Sequence, residues 1–214
     1  MKINIEKIII DKNQVLNFLG YANRKIPPII LRKIDEEIER VDYLLQPSAF
    51  IQHFQIDEIK ADNIHFGKKY CLKSSYLANE LEKSPLIYLA IYTIGDKIEN
   101  KIREYSNSSE MIRAMILDKI GVVALDNIRK QIKEVILEDV LPYKISSQLF
   151  PETKDFHINN QKIILDVFKE ENDIISISSS YQLNPIKTIA VIFGIGDVED
   201  NKSMCERCNR GCFT

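Results

Sequence analysis

Apolar positions return at steps of three and four along PPIILRKIDEEIERVDYLLQP. Ile30, Ile34, Ile38, Val41 and Leu45 share one face, while Asp35, Glu36, Glu39 and Arg40 occupy others. That period is a helix with one buried stripe, opened by Pro27 and Pro28 and stopped by Pro47. A shorter helix is predicted over DKNQVLNFLGYA, with Asp11 as its cap and Gly20 near its end. SAFIQHFQID alternates instead, which puts Phe50, Gln52, Phe54 and Ile56 on one side of a strand. SSYLANELEK reads as helix, LIYLAIYTIG as a buried strand ending at Gly95, and the stretch from about Asp96 to Tyr105 as helix again.

The longest periodic segment is SNSSEMIRAMILDKIGVVALDNIRKQIKEVILEDV. Its predicted core face is Met115, Ile116, Ile120, Val123, Ile132 and Val135, with Ser108 or Ser109 as cap. After Pro142 the stretch YKISSQLFPETKDFH shows no period and reads as irregular. A helix over NNQKIILDVFKEE follows. Two strands, DIISISSS and KTIAVIFGIG, then close the order, joined by a turn through Asn184 and Pro185. Strands split between the two halves, with helices between them, predict an α+β fold rather than regular βαβ alternation. The expected organisation is one domain over residues 1–200, helical to about residue 47, and a cysteine-rich tail over 201–214.

A chain of 214 residues is long enough to bury a sizeable core. Its net charge of −2 gives no electrostatic footprint for nucleic acid or an anionic membrane. Charges interrupt the apolar stretch of MKINIEKIIIDKNQ, so it does not read as a signal peptide, and no apolar run approaches the ~20 residues of a membrane helix. These features predict a cytoplasmic protein with reduced thiols. That setting shifts the expectation for the tail from disulfide to metal.

Cys205, Cys208 and Cys212 have the spacing C-x2-C-x3-C, the reverse of the C-x3-C-x2-C order of radical S-adenosylmethionine enzymes. Thiolates so spaced can converge on one soft metal, with Gly211 helping the backbone bend. Zinc or a [4Fe–4S] cluster normally takes four protein ligands. The fourth could be Cys71, a partner's residue, or one of His53, His65 and His157. The plain alternative is a surface tail of free thiols. Cys71, beside Leu72, reads most simply as a buried hydrophobe. Asp118 reads as a solvated helix acid, and GIGD at 194–197 as a strand end, since it lacks the third glycine of a phosphate loop.

VLNFLGY, LLQPSAF, LIYLAIYTIGDKIENKI, MILDKIG, NNQKIIL and ISISSSYQLNPIKTIAVIFGIG follow one another in this order, ahead of the cysteine tail. Taken together they resemble the activation (reactivation) domain of cobalamin-dependent methionine synthase, in a small stand-alone clostridial-type form. The late segment carries most of the likeness. The family has an apolar-Thr-Glu-Ser strand, a turn, Pro and a Lys/Ala-Ser-Val strand; here the positions are Ile177, Ser178, Ser179, Ser180, Pro185, Lys187, Thr188 and Ile189. The resemblance implies a twisted, mainly antiparallel sheet flanked by helices. It further implies a domain that docks over cobalamin on a partner, presents S-adenosylmethionine, and lets one electron from a redox partner restore the methylated cobalt. The protein's share of such chemistry is positioning and exclusion.

The resemblance fails at one motif. Family members that bind S-adenosylmethionine carry Arg-x-Ser/Ala-Pro-Gly-Tyr, and the matching stretch here is QLFPETKDF. Gln148 replaces the arginine, Glu152 the glycine and Thr153 the tyrosine, leaving Pro151 and Asp155. Losing a bidentate clamp on a carboxylate costs about 1.5–3 kcal/mol, and Glu152 adds a like charge. The candidate ligand-side residues are therefore Gln148, Pro151, Glu152, Thr153, Asp155, Tyr181 and Asn184; the candidate metal ligands are Cys205, Cys208, Cys212 and Cys71. Two functions follow as expectations: an accessory to a cobalamin methyltransferase with a degenerate S-adenosylmethionine site, or an iron–sulfur or zinc protein for electron transfer or scaffolding.

Overall fold

The computed structural model describes residues 1–22 and 24–199. In chain order the elements begin β1 (Lys2–Ile3), α1 (Lys12–Phe18), α2 (Pro28–Arg40), a 3-10 turn (Val41–Tyr43), β2 (Ser48–Lys60), β3 (Asn63–Phe66) and β4 (Tyr70–Lys73). They continue α3 (Ser75–Leu81), β5 (Leu86–Thr93), α4 (Lys97–Asn107), α5 (Met111–Val140), β6 (Lys144–Leu149) and α6 (Asn160–Val167). The last three are β7 (Ser176–Ile177), β8 (Leu183–Asn184) and β9 (Thr188–Gly196).

The continuous apolar runs of β5 and β9 mark strands covered on both faces. They lie side by side in the middle of a sheet ordered β4-β3-β2-β5-β9-β6, in which every pair is antiparallel; β1 pairs with the start of β2. Period-two alternation divides their side chains. Tyr88, Ala90, Tyr92, Val191, Phe193 and Ile195 meet α5 on one face. Ile87, Leu89, Ile91, Ala190 and Ile192 meet α3 and α6 on the other. The α+β expectation holds.

Helix α5 is the spine of the first layer, about 45 Å long at ~1.5 Å per residue. Asp11 caps α1 by accepting from the Asn13 N–H at 2.8 Å. Glu37, buried on α2, accepts from Arg113 of α5 and from the Tyr105 hydroxyl at 3.0 Å, fastening the N-terminal helices to the spine.

Four expectations are corrected. Met115 is not in the core: with Met111 and Ile112 it faces solvent on a side of α5 that no neighbour covers, and it is 54% exposed. Neither Ser108 nor Ser109 caps α5. Ser109 turns the chain at φ 63°, the Ser108 hydroxyl donates to the Tyr105 carbonyl, and Glu110 stands at the helix start. The irregular reading of YKISSQLF gives way to edge strand β6, whose period is hidden because Ser147 and Gln148 are polar yet buried. DIISISSS contributes only β7, which pairs with β8 in a sheet of two strands rather than with β9. Among the described residues, no helix is long and apolar enough to cross a membrane.

Candidate functional site

Two segments expected to form a ligand face, 148–156 and 178–188, both attach to the α5 spine. Gln148 points inward from β6, and its Oε1 accepts from Arg129 Nη1 at 2.7 Å. Arg129 also donates to Asp126 Oδ1 from Nη2 at 2.6 Å and Nε at 3.1 Å. The Tyr92 hydroxyl, fully buried near this pair, has no hydrogen-bond partner among the described residues. Burial raises its pKa, more than the Arg129 charge lowers it. Burial also works to raise the Asp126 carboxyl, but hydrogen bonds and charge from Arg129 and Lys130 outweigh it and hold that group below the usual carboxylate range.

Past β6 the chain makes a tight turn. The Glu152 N–H donates to the Phe156 carbonyl at 2.6 Å, and the Thr153 N–H to the Phe150 carbonyl at 3.2 Å. Glu152 has φ 70° and Lys154 φ 53°, both in the left-handed region that glycine favours. The position where the resembling family carries glycine thus keeps a glycine's backbone while bearing an exposed carboxylate. Pro151 precedes it, and Thr153 pairs with Phe156 in a single bridge.

Asp155 closes the turn against α3. Its carboxylate accepts from the Ser74 hydroxyl at 2.8 Å, the Ser75 N–H at 2.7 Å and hydroxyl at 2.5 Å, and the Tyr76 N–H at 3.0 Å. These donors, the Ser75 and Ser74 hydroxyls first, hold its pKa far below the ordinary carboxylate range. Asp155 is thereby a staple at a helix start, with four donors already on its oxygens.

The second segment is rooted at Lys187. Its Nζ reaches Asp118 Oδ1 at 2.7 Å, its N–H donates to Glu99 Oε1 at 2.7 Å, and its carbonyl accepts from the Thr93 hydroxyl at 3.1 Å. The lysine stem crosses α5 at Gly121, where a Cβ would lie 2.6 Å from Lys187 Cδ. Asp118 is therefore not a merely solvated acid: Lys187 and Lys119 both pair with it. Beyond this root the segment opens outward. Tyr181, at φ 62° in the β7–β8 turn, is 39% exposed, and the Asn184 side chain faces solvent ahead of a cis peptide to Pro185.

Cys71 lies on β4, half-buried rather than a core hydrophobe, while neighbouring Leu72 is buried. Cys205, Cys208 and Cys212 lie outside the described residues. Among the described residues, no group of three or more His, Cys, Asp or Glu side chains could hold a metal ion. Arg129 was missed in the sequence. The signal was available: an arginine on the buried stripe of a helix must be paired. A separate cleft of about 530 Å³ on the α5 face, lined by residues that include His53, Tyr88 and Asp139, holds none of the expected ligand-side residues and, of the candidate metal ligands, His53 alone.

An antiparallel sheet crossed by one long helix, with both segments attached to that helix, defines the class: an α+β domain. The particular likeness is to the crystal structure of the MetH reactivation domain bound to AdoHcy, with a TM-score of 0.63, 8% identity, and coverage of 89% of this chain and 76% of that one. At that identity the likeness shows the fold. No protein-family model matches the sequence, and no curated protein matches it.

Proposed function

We propose that this chain is an accessory protein of the reactivation-domain type, supporting reductive remethylation of a cobalamin methyltransferase (methionine synthase or another corrinoid protein) through a remodelled S-adenosylmethionine face. The observation that carries this reading is the fold shared with a domain solved with AdoHcy. The left-handed backbone at Glu152 supports it, because a turn shaped for close approach to a ligand is kept where its glycine is lost.

The residues fit S-adenosylmethionine in one respect and not in another. The backbone of Pro151, Glu152 and Thr153 offers the turn, and Tyr181 and Asn184 offer open side chains as ligand contacts. Gln148 and Asp155 stand behind them as positioning residues, since both are taken up by internal partners. Gln148 stands where the resembling family has its cationic clamp. Arg129 is the cation paired with Gln148, and Asp126 already neutralises it. A ligand carboxylate here would meet the charge of Glu152, so no methyl-transfer step is assigned to any side chain. In this reading the chain caps a cobalamin-loaded partner, and a redox partner supplies the electron.

Two measurements test the proposal. Calorimetric titration with S-adenosylmethionine and AdoHcy should show binding far weaker than an intact clamp would give. Mixing with cobalamin-loaded methionine synthase should shift gel-filtration elution and the cobalt spectrum; unaltered elution and spectrum would remove the reading. A second reading draws on the C-x2-C-x3-C spacing alone: a zinc or iron–sulfur centre on Cys205, Cys208 and Cys212 with Cys71, serving electron transfer. Anaerobic reconstitution should then give thiolate–iron visible absorbance that Cys208→Ser abolishes.

A further inference from the structure

The outer strands of the sheet line up three metal-binding residue types in one row. Register sets Glu58 of β2 opposite His65 of β3, and His65 opposite Cys71 of β4. Cross-strand partners project to the same face. That face is turned to solvent, because Ile64, Phe66 and Leu72, which alternate with them, are fully buried on the other. The three line an open cleft of about 700 Å³ together with Asp57, Lys68, Lys69 and Tyr70.

The thiol and the imidazole already stand at coordination spacing. Cys71 Sγ lies 3.8 Å from His65 Nε2. A cation held at ~2.3 Å from sulfur and ~2.0–2.1 Å from nitrogen, with tetrahedral angles, separates those two atoms by about 3.6 Å. No backbone movement is needed to place an ion between them. The thiol S–H donates to Asn63 Oδ1 at 3.8 Å or to the Leu72 carbonyl at 3.7 Å. Asp57 and Glu58 offset Lys68 and Lys69, so losing that proton leaves the cleft wall net negative.

We propose that the β3–β4 hairpin is a two-ligand seat for a zinc-type divalent cation, held by the Cys71 thiolate and His65 Nε2 alone. Binding releases the thiol proton to solvent and changes no oxidation state. The remaining coordination positions are open to water or an added thiolate. The seat uses no residue of the 148–156 or 178–188 segments and none of the tail cysteines, but it claims Cys71, the thiolate that the second functional reading gives to the tail centre.

The test titrates the metal-free full chain anaerobically with Co²⁺ as a spectroscopic probe, then with Zn²⁺ in competition. One equivalent of Co²⁺ should give a thiolate-to-cobalt charge-transfer band that Zn²⁺ removes. Cys71→Ser should abolish the band. His65→Ala should weaken binding by roughly tenfold or more; both side chains sit on the solvent face, and circular dichroism checks that each variant folds. A chain with Cys205, Cys208 and Cys212 all changed to Ser should keep the band. Loss of the band in that triple variant with retention in Cys71→Ser, or no cobalt bound by the parent chain, overturns the proposal.

Discussion

The two segments that hang on α5 have opposite characters. Between 148 and 156 two polar side chains are taken up by the protein, Gln148 by Arg129 and Asp155 by the start of α3, while Glu152 and Lys154 face solvent. Between 178 and 188 the root is tied by Lys187 to Asp118 and Glu99 and Leu183 is buried, while the tip is held by its own turn and Tyr181 and Asn184 face water. The difference teaches where a ligand contact can persist. A polar group already satisfied inside the protein contributes little to a ligand, because binding must first break its internal bond. The first segment has become architecture; the second retains free chemistry.

The largest effect that would break this contrast is at Arg129. Arg129→Ala leaves buried Gln148 without its donor and leaves Asp126, 26% exposed, with Lys130 alone, and should cost about 1–3 kcal/mol in urea denaturation. Replacing the group together, Arg129→Met with Asp126→Leu and Gln148→Leu, should recover much of the loss, since no lone charge or amide then remains buried. If Arg129→Ala alone is near neutral, the first segment is not anchored as described.

Asp155 offers a test with a pH signature. Its carboxyl is held far below the ordinary range when folded, by the Ser75 and Ser74 hydroxyls first. In the unfolded chain it takes up its proton at the ordinary value, so as pH falls the unfolded state binds protons first and stability declines. The contribution is complete above the ordinary carboxylate pKa and is lost as pH falls through that value toward the lowered one. Asp155→Asn should therefore lower the melting temperature near neutrality and flatten its decline in acid. A parallel, undiminished acid limb in the variant would show that Asp155 does not hold the turn.

How much of this contrast the sequence disclosed depends on residue type. The second segment was legible because its residues sit in a recognisable order, Ser178 to Ile189, and the apolar run of β9 announces its strand. The first was legible only as a mismatch. Its strand β6 went unread because Ser147 and Gln148 break the apolar period from buried positions. Gln148 is held there by Arg129 on α5, and Ser147 packs over Gly194 of β9; no local pattern encodes either pairing. The same applies to β3 and β4, four residues each, too short for a period to stand out. Met115 failed for the converse reason: an apolar residue in helical register is buried only where another element covers it.

At the root of the second segment the expected effect is smaller. Lys187→Met keeps the aliphatic stem over Gly121 and removes the ammonium. Asp118 is 41% exposed and retains Lys119, so the loss should be at most ~1 kcal/mol, screened by salt. The informative readout is local. Protease cleavage near Tyr181 should rise while global stability barely moves, because the hairpin tip faces water and Leu183 stays packed in the core.

The smallest and sharpest change is Glu152→Gly. An L-residue in the left-handed region costs roughly 1–2 kcal/mol, and glycine returns about 0.4–1 kcal/mol of that through a freer unfolded chain. The net should be a stabilisation of ~1 kcal/mol or less, read in urea denaturation. If the turn still has the shape of a ligand-binding loop, the same substitution also removes the carboxylate that opposes a ligand's own. S-adenosylmethionine affinity should then rise by calorimetry even though no cation has been added. A variant that gains stability but no affinity would place the turn wholly with the architecture, and leave Tyr181 and Asn184 as the proposed contacts still to be tested.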